Sequence, residues 1–295
     1  VVCGTSYRNK GVQPLLNAVS AQLISTVACF CYAFARYPEI RLKREDWRIT
    51  KYDVRRHVSR GIPLGLQFSV LAIGIIVMQS VVVKFDMLDG RMVSSAAQNG
   101  FGAANKLSNL MMTPMNALGT AMTSFTAQNL GAGRYDRIKK GTLQSMIVMG
   151  GIVLCGVGLG MLLTVNDLYF HVFLSADKVT AETVRFGNAL LYVDFAMYPF
   201  LGGVFLIRNC VQGIGRPSFV LGAGAAELVA RIAVCLLLPA AVAGGMVSAS
   251  APPLAFYALC AADPMAWIAA DAVLCVPLIR NIMRMDYRYL RSSQI

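Results

Sequence analysis

A few ionisable side chains stand inside long apolar stretches, where a charge is costly and therefore informative. Asp194 lies in a run with no other charge, between Tyr192 and Tyr198. Such an acid either binds a cation or proton, or makes a hydrogen bond to a neighbouring helix; the sequence leaves both open. Glu227 and Arg231 are four residues apart, so on a helix they share a face and can pair. We interpret this ion pair as structural.

Two further charges in apolar stretches are ambiguous from sequence. Lys106 lies between Asn105 and Asn109; its ammonium group could repel cations, pair with an acid, or reach the edge of the apolar layer. Asp271 stands about seven residues into the last apolar run, and we interpret it as a residue at that edge.

The stretch TAQNLGAGRYDRIKKG, residues 126–141, raises the question of a phosphate site. Gly131 and Gly133 begin a G-x-G pattern, but the third glycine of the dinucleotide fingerprint is absent, and no Gly-Lys-Ser/Thr follows. The preceding residues read as a helix instead of a strand. We therefore predict a turn in which glycine ends one helix and the basic residues that follow lie at a surface.

The composition identifies the elements that carry these residues. Of the 295 residues, 56% are hydrophobic and only 14% charged, against roughly 25% charged in soluble proteins. Residues 61–83 and 141–165 contain no Asp, Glu, Lys or Arg, and about 20 apolar residues cross a bilayer as a helix. We predict an all-α polytopic membrane protein with about seven transmembrane helices. The predicted spans are 15–35, 61–83, 92–130, 141–165, 186–207, 217–242 and 264–279, and Pro114 makes the long third one kinked or tilted.

Lys and Arg are concentrated in the connections that follow every second span. Residues 36–60 hold nine, residues 134–140 four and residues 280–291 four, whereas residues 243–263 hold none. This asymmetry is the positive-inside pattern. It places the C-terminus in the cytoplasm and explains the net charge of +12 by contact with the lipid bilayer, so no nucleic-acid partner is expected.

The residue types that metal sites and hydrolytic enzymes need are present but badly spaced. The eight cysteines lie mostly in apolar runs, with only Cys29 and Cys31 close together, and His57 and His171 are isolated. Neither a zinc pattern nor a disulfide framework is visible, and no nucleophile stands at a spacing that suggests a catalytic base beside it. We expect no metal, no catalytic residue and no cofactor, and conclude that the chain is not an enzyme.

Several motifs, in order along the chain, resemble the multidrug and toxic compound extrusion (MATE) family. The resemblance extends from about Gly11 to the C-terminus. It implies a transporter of twelve helices in two lobes of six. The motifs are GIPLGLQF at 61–68, AANKLSNLMMTP at 103–114, TAQNLGAGRYDR at 126–137, QGIGRP at 212–217, ELVAR at 227–231 and PMAW at 264–267.

The resemblance also implies a domain organisation. Residues 1–36 would be a remnant of the first lobe with one transmembrane helix, 37–60 the basic cytoplasmic linker between the lobes, 61–283 the complete second lobe, and 284–295 a cytoplasmic tail. We therefore expect a C-terminal fragment of a longer transporter, which needs the missing first lobe, either in the same longer chain or as a partner.

The resemblance does not imply that the coupling site of the family is present unchanged in this chain. In one branch, acids on the first and fourth helices of this lobe bind the coupling cation, and the matching positions here are Leu71 and Leu201. In another branch the coupling Asp lies in the lobe that is missing. Gln67 and Asp194 share a helical face with Leu71 and Leu201, respectively. The candidates for substrate or ion binding are Gln67 and Asp194 first, then Asn105, Asn109, Tyr192 and Tyr198.

The resemblance implies a secondary active antiporter that exports drug-like or cationic organic compounds in exchange for Na⁺ or H⁺ by alternating access. The expected partners are small organic cations as substrates, and the expected location is the plasma membrane, the inner membrane in a bacterium. Two alternatives stay open: a flippase of lipid-linked precursors from the same superfamily, and a truncated membrane subunit that transports nothing.

Overall fold

A computed structural model of the chain describes residues 12–38 and 50–283. The chain divides into two compact units, Val1–Val58 and Ser59–Ile295. The described part of the first unit contains helix α1 (Val12–Arg36), which covers the first predicted span. Residues 39–49 of the predicted linker and the whole of the predicted tail 284–295 lie outside the described residues. Residues 51–60 of that linker are helical and begin α2.

The second unit is built almost entirely of helices, and each remaining predicted span coincides with helical structure. A hairpin of two short strands, β1 (Met87–Leu88) and β2 (Arg91–Met92), follows α2. Residues 92–95 of the predicted third span are therefore not helical. The helices are α2 (Lys51–Lys84), α3 (Ala96–Gly131), α4 (Tyr135–Thr164), α5 (Leu168–Phe173), α6 (Ala181–Gly213), α7 (Pro217–Ala243), α8 (Pro253–Cys260) and α9 (Ala262–Pro277), followed by a π-helical turn, Leu278–Met283.

Length and apolar composition make this a membrane protein. Within the described residues, five helical stretches can cross a bilayer: Lys51–Lys84, Tyr135–Thr164, Ala181–Gly213, Pro217–Ala243 and Pro253–Met283. Large apolar side chains on α4, such as Ile147 and Leu154, are more than 70% exposed, as expected for a face that contacts lipid. The chain is an all-α polytopic membrane protein.

The last span is longer than the sequence predicts. The expected span began at Pro264, with residues 243–263 as a loop, but α8 begins at Pro253 and helical structure continues to Met283. Pro264 does not end the helix because it lies in the first turn of α9, where its missing N–H group leaves no bond unmade. As a consequence Asp263 lies inside the span and not in a loop.

Glycines allow α3 and α6 to pack closely. At Gly100 an added Cβ would collide with the Thr183 carbonyl oxygen, and at Gly119 it would lie 2.6 Å from Asn209 Nδ2. In lipid, where apolar burial gives little drive for association, such close approach of small residues is a main source of helix–helix stability. The α3–α6 pair therefore forms the most extensive helix–helix contact of the described second unit.

Residues 126–141 form a turn, as the sequence predicts. Helix α3 ends at Gly131, Gly133 has a left-handed φ of 68°, and α4 begins at Tyr135. The Arg134 amide donates to the Asn129 carbonyl oxygen at 2.9 Å, which satisfies one of the last carbonyls of α3. The basic side chains that follow are exposed, and no phosphate-binding fold is present in this described stretch.

Candidate functional site

Four charged side chains form a chain of ion pairs between α6, α7 and α9. Glu227 contacts Arg208 at 2.6 Å and Arg231 at 3.3 Å, and Arg231 contacts Asp263 at 2.8 Å. We call these four residues the ion-pair chain. Their side chains are at most 17% exposed, so the charges depend on one another for stabilisation.

The ion-pair chain balances its own charge, because it contains two cations and two anions. The sequence predicts the contact between Glu227 and Arg231, since the spacing of four residues places both on one face of α7. It misses the other two members, which are Arg208, a residue inside α6, and Asp263, which was assigned to a loop. An ionisable residue near the edge of an apolar run gives no sequence signal that its partner lies on another helix.

Asp194 is not a member of the ion-pair chain. The residue is 3% exposed, and its Oδ1 atom is buried with no hydrogen-bond partner among the described residues. Asp194 is close enough to Asp263 and Arg231 to interact with both electrostatically, but the ion pairs of Arg231 go to Glu227 and Asp263. Asp194 therefore makes no ion pair with any described residue.

Two hydroxyl groups adjoin this part of α6. Tyr198, one turn further along α6 than Asp194, is fully buried, and Ser108 on α3 is 1% exposed. The two hydroxyl groups are neighbours that can share a hydrogen bond, and neither has another partner among the described residues. Tyr198 is held by edge contacts of its ring with Phe195 and Trp267. We call Asp194, Tyr198 and Ser108 the Asp194 cluster, in which the buried carboxyl group of Asp194 could hold a proton or a small cation.

Asp271, which the sequence analysis interpreted as a residue at the edge of the apolar layer, packs against α6. It is half-buried on α9 and directed at α6, where an added Cβ on Gly203 would lie 2.8 Å from its Oδ2 atom. Its Oδ1 atom is buried without a partner among the described residues. The absence of a side chain at Gly203 thus makes room for this carboxyl group.

Gln67 lies at a cavity of about 300 Å³, which Asp194 does not line. Its side chain is 4% exposed and rests on Gly224, where an added Cβ would lie 3.3 Å from Gln67 Cγ. The Oε1 atom has no hydrogen-bond partner among the described residues. We call this space the Gln67 cavity. The common cavity that the sequence predicted for Gln67 and Asp194 is therefore not formed by the described residues.

The remaining candidates are spread over other surfaces. Asn105 donates to the Phe101 carbonyl oxygen of its own helix at 3.0 Å, Asn109 is exposed, and Tyr192 is 44% exposed. Lys106 is exposed, with Nζ 5.8 Å from the centre of the Phe173 ring. None of these four residues lies in the ion-pair chain or the Asp194 cluster.

No group of three or more His, Cys, Asp or Glu side chains in the described part of the chain is arranged to hold a metal ion. The seven cysteines that the structure describes are free thiols, four of them in or partly in the interior.

Comparisons with known proteins agree with an all-α membrane fold. The family model MatE matches residues 71–237, more than half of the chain. Two relatives from Bacillus subtilis (strain 168) are named as probable multidrug resistance proteins. YoeA is 26% identical over 199 residues, which cover 66% of this chain and 41% of YoeA. YpnP is 31% identical over 161 residues, which cover 55% of this chain and 33% of YpnP.

The chain thus aligns with about two fifths of one curated relative and one third of the other. No solved structure matches it significantly.

Proposed function

Because the chain belongs to the MatE family (the MATE transporters), we propose that it forms a lobe of a secondary active antiporter. The antiporter would export drug-like or cationic organic compounds in exchange for Na⁺ or H⁺. The printed names of YoeA and YpnP, both probable multidrug resistance proteins, support drug-like compounds as the substrate class. The activity belongs to the whole transporter, of which the chain spans a part.

The single observation that supports ion coupling most strongly is the Asp194 cluster. An ionised carboxylate buried without a partner costs several kcal/mol or more, so Asp194 needs a proton or a cation whenever it is closed off from water. Both arginines of the ion-pair chain pair with carboxylates, so no described residue forms an ion pair with Asp194. This arrangement supports a proton or cation from solution as the compensating charge, as a coupling site requires.

Alternating access links ion binding at the Asp194 cluster to the conformation of the transporter. With a proton or Na⁺ bound, the Asp194 cluster is neutral and stable in a closed environment; without it, the cluster needs contact with water. The bound ion therefore favours conformations in which the site is closed, and its loss favours those in which the site is open. A gradient of that ion across the membrane can in this way drive a transport cycle.

The test is efflux of a fluorescent cationic dye from cells that express the protein. Asp194→Asn removes the titratable group at nearly constant volume and should reduce efflux to background at equal expression. Asp177→Asn, at an exposed position, is the matched control and should retain wild-type efflux. Efflux by Asp194→Asn at the wild-type rate would remove Asp194 from the coupling site.

The same assay separates a transporter from a subunit that transports nothing. The chain is expressed alone and together with the part of YoeA that it does not match. Efflux in either condition supports the antiporter, and efflux only in the second shows that another lobe is required. A flippase of lipid-linked precursors is less well supported, because its pyrophosphate-bearing substrate needs free cations, and both Arg208 and Arg231 are neutralised by carboxylates.

A further inference from the structure

A second cavity, of about 420 Å³, lies within the second unit where α2 and α7 end. Helix α2 ends at Lys84 and α7 at Ala243. This volume is within the roughly 300–1,000 Å³ range of ligand pockets. We call this space the Lys84 cavity. The lining residues come from both helices and from the turn after α7: Val81, Lys84, Cys235, Leu236, Ala240 and residues 245–247.

The lining of the Lys84 cavity changes from charged to apolar along the helices. Both α2 and α7 are long and apolar enough to cross a bilayer. Lys84 is the last residue of α2, so it lies at the depth where spanning helices meet the lipid headgroups. Leu236 lies two turns before the end of α7, about 10 Å deeper, which is the depth of the acyl chains. The cavity therefore presents a cation at headgroup depth and apolar surface below it.

Lys84 supplies a positive charge without a counter-charge. It is exposed, and its ammonium group makes no ion pair with another residue that the structure describes. Of the described residues that line the cavity, Lys84 alone carries a formal charge. The Cys235 thiol, the other polar group among these side chains, is 1% exposed. The cavity therefore attracts an anion, and no carboxylate in its lining opposes that attraction.

The apolar part of the cavity is exposed at the surface of the unit. Leu236 is 48% exposed and Met246 90% exposed, so the cavity is continuous with a surface that contacts lipid. A free phosphate ion would leave this apolar lining uncovered. A purely apolar molecule would leave the Lys84 ammonium group without a counter-charge. An anionic phospholipid satisfies both, because its phosphate and its acyl chains are joined in one molecule.

We propose that the Lys84 cavity binds an anionic phospholipid of the surrounding membrane. The phosphate pairs with Lys84, and the first carbons of an acyl chain lie against Leu236 and Ala240. The most extensive helix–helix contacts of the second unit do not involve α2. A lipid held between α2 and α7 therefore stabilises the position of α2, since a ligand that binds only the folded state adds to its stability. The site is separate from the Asp194 cluster, and the proposal does not depend on export.

Native mass spectrometry of the 295-residue chain in detergent tests this proposal with two lipids. Dioleoylphosphatidylglycerol is anionic, and dioleoylphosphatidylcholine is zwitterionic. We expect the first molecule of phosphatidylglycerol to bind about fivefold more tightly, the contribution of one Lys beside anionic lipid. Lys84→Gln should remove this preference. Lys178→Gln, at an exposed position between α5 and α6, is the matched control and should retain it.

A second pair of variants tests the apolar part of the site. Ala240→Phe fills the cavity, so binding of the first phosphatidylglycerol should weaken at least tenfold. Ala241→Phe, at the exposed neighbouring position outside the lining, should bind like the wild type. Phosphatidylglycerol should also raise the concentration of denaturing detergent that unfolds the wild type, but not the concentration that unfolds Lys84→Gln.

The proposal is overturned if the wild-type chain binds the two lipids with equal affinity, or if Lys84→Gln retains the wild-type preference. Equal binding by Ala240→Phe and Ala241→Phe would also overturn it. Displacement of the lipid by an equal concentration of glycerol phosphate would show that the acyl chains do not contribute, and would contradict a lipid site. Size-exclusion profiles show whether Ala240→Phe is folded, and Lys84→Gln decides the outcome if it is not.

Discussion

Replacement of Arg231 by methionine tests whether the ion-pair chain acts as one charge-balanced unit. Arg231 is 6% exposed and touches two carboxylates, Glu227 at 3.3 Å and Asp263 at 2.8 Å. Without it, Glu227 keeps Arg208, but Asp263 loses the only ion-pair partner that the described residues give it. Removal of one member of a buried ion pair costs about 3–5 kcal/mol, and we expect a loss of stability in that range for Arg231→Met.

The second arm of this experiment restores the balance of charge. Asp263→Asn alone should be less harmful than Arg231→Met, because Arg231 retains Glu227. In the double variant, one cation and one anion are gone and the Arg208–Glu227 pair remains neutral. We therefore expect it to be more stable than Arg231→Met alone, with a coupling energy of about 1–3 kcal/mol, within the range for residues in one network.

The protein is unfolded in increasing concentrations of a denaturing detergent. The reaction of buried thiols with a fluorescent maleimide reports the unfolded fraction. Cys235 and Cys260 are buried near the ion-pair chain, so their thiols become reactive when this region unfolds. Reaction of the exposed cysteines gives a constant background. Arg137→Met, at an exposed position on α4, controls for the loss of an arginine. If the effects of Arg231→Met and Asp263→Asn add within about 0.5 kcal/mol, the two residues are not coupled and the reasoning is refuted.

Two further predictions concern packing and topology. Gly203→Ala should destabilise the protein, because the new Cβ would lie 2.8 Å from Asp271 Oδ2; Gly222→Ala, whose Cβ would meet only Val273 at 3.8 Å, should be neutral or stabilising by up to about 1 kcal/mol. The same thiol assay measures both, and equal stabilities would contradict the close contact. The distribution of Lys and Arg predicts a cytoplasmic C-terminus, so green fluorescent protein fused after Ile295 should fluoresce. Alkaline phosphatase fused at the same position should be inactive, and activity would contradict the predicted topology.

The helices could be predicted from sequence because lipid leaves few alternatives. An apolar run of sufficient length must form a helix that satisfies its own backbone, and each predicted span in the described residues coincides with helical structure. The ends were harder to predict. Residues 243–263 were assigned to a loop, whereas the last span begins at Pro253.

The contacts between helices could be predicted only where they are local. The Glu227–Arg231 contact follows from spacing within one helix. The contacts of Arg208 and Asp263 join residues 19 and 32 positions distant along the chain from their partners, and no periodicity reveals such pairs. Ser108 was also not predicted, since a serine in an apolar helix is common and only the structure places it beside Tyr198.

The buried acids of the second unit are compensated to different extents. Asp86, fully buried, accepts bonds from the amides of Ala97 and Gln98 at the start of α3, at 3.0 and 2.9 Å, so a helix N-terminus compensates its charge. The carboxylates of the ion-pair chain are compensated by arginines. The Oδ1 atoms of Asp194 and Asp271 are buried without a hydrogen-bond partner among the described residues, and Asp194 is the more deeply buried of the two. This contrast supports the proposal that a proton or cation binds and leaves Asp194 during the working cycle.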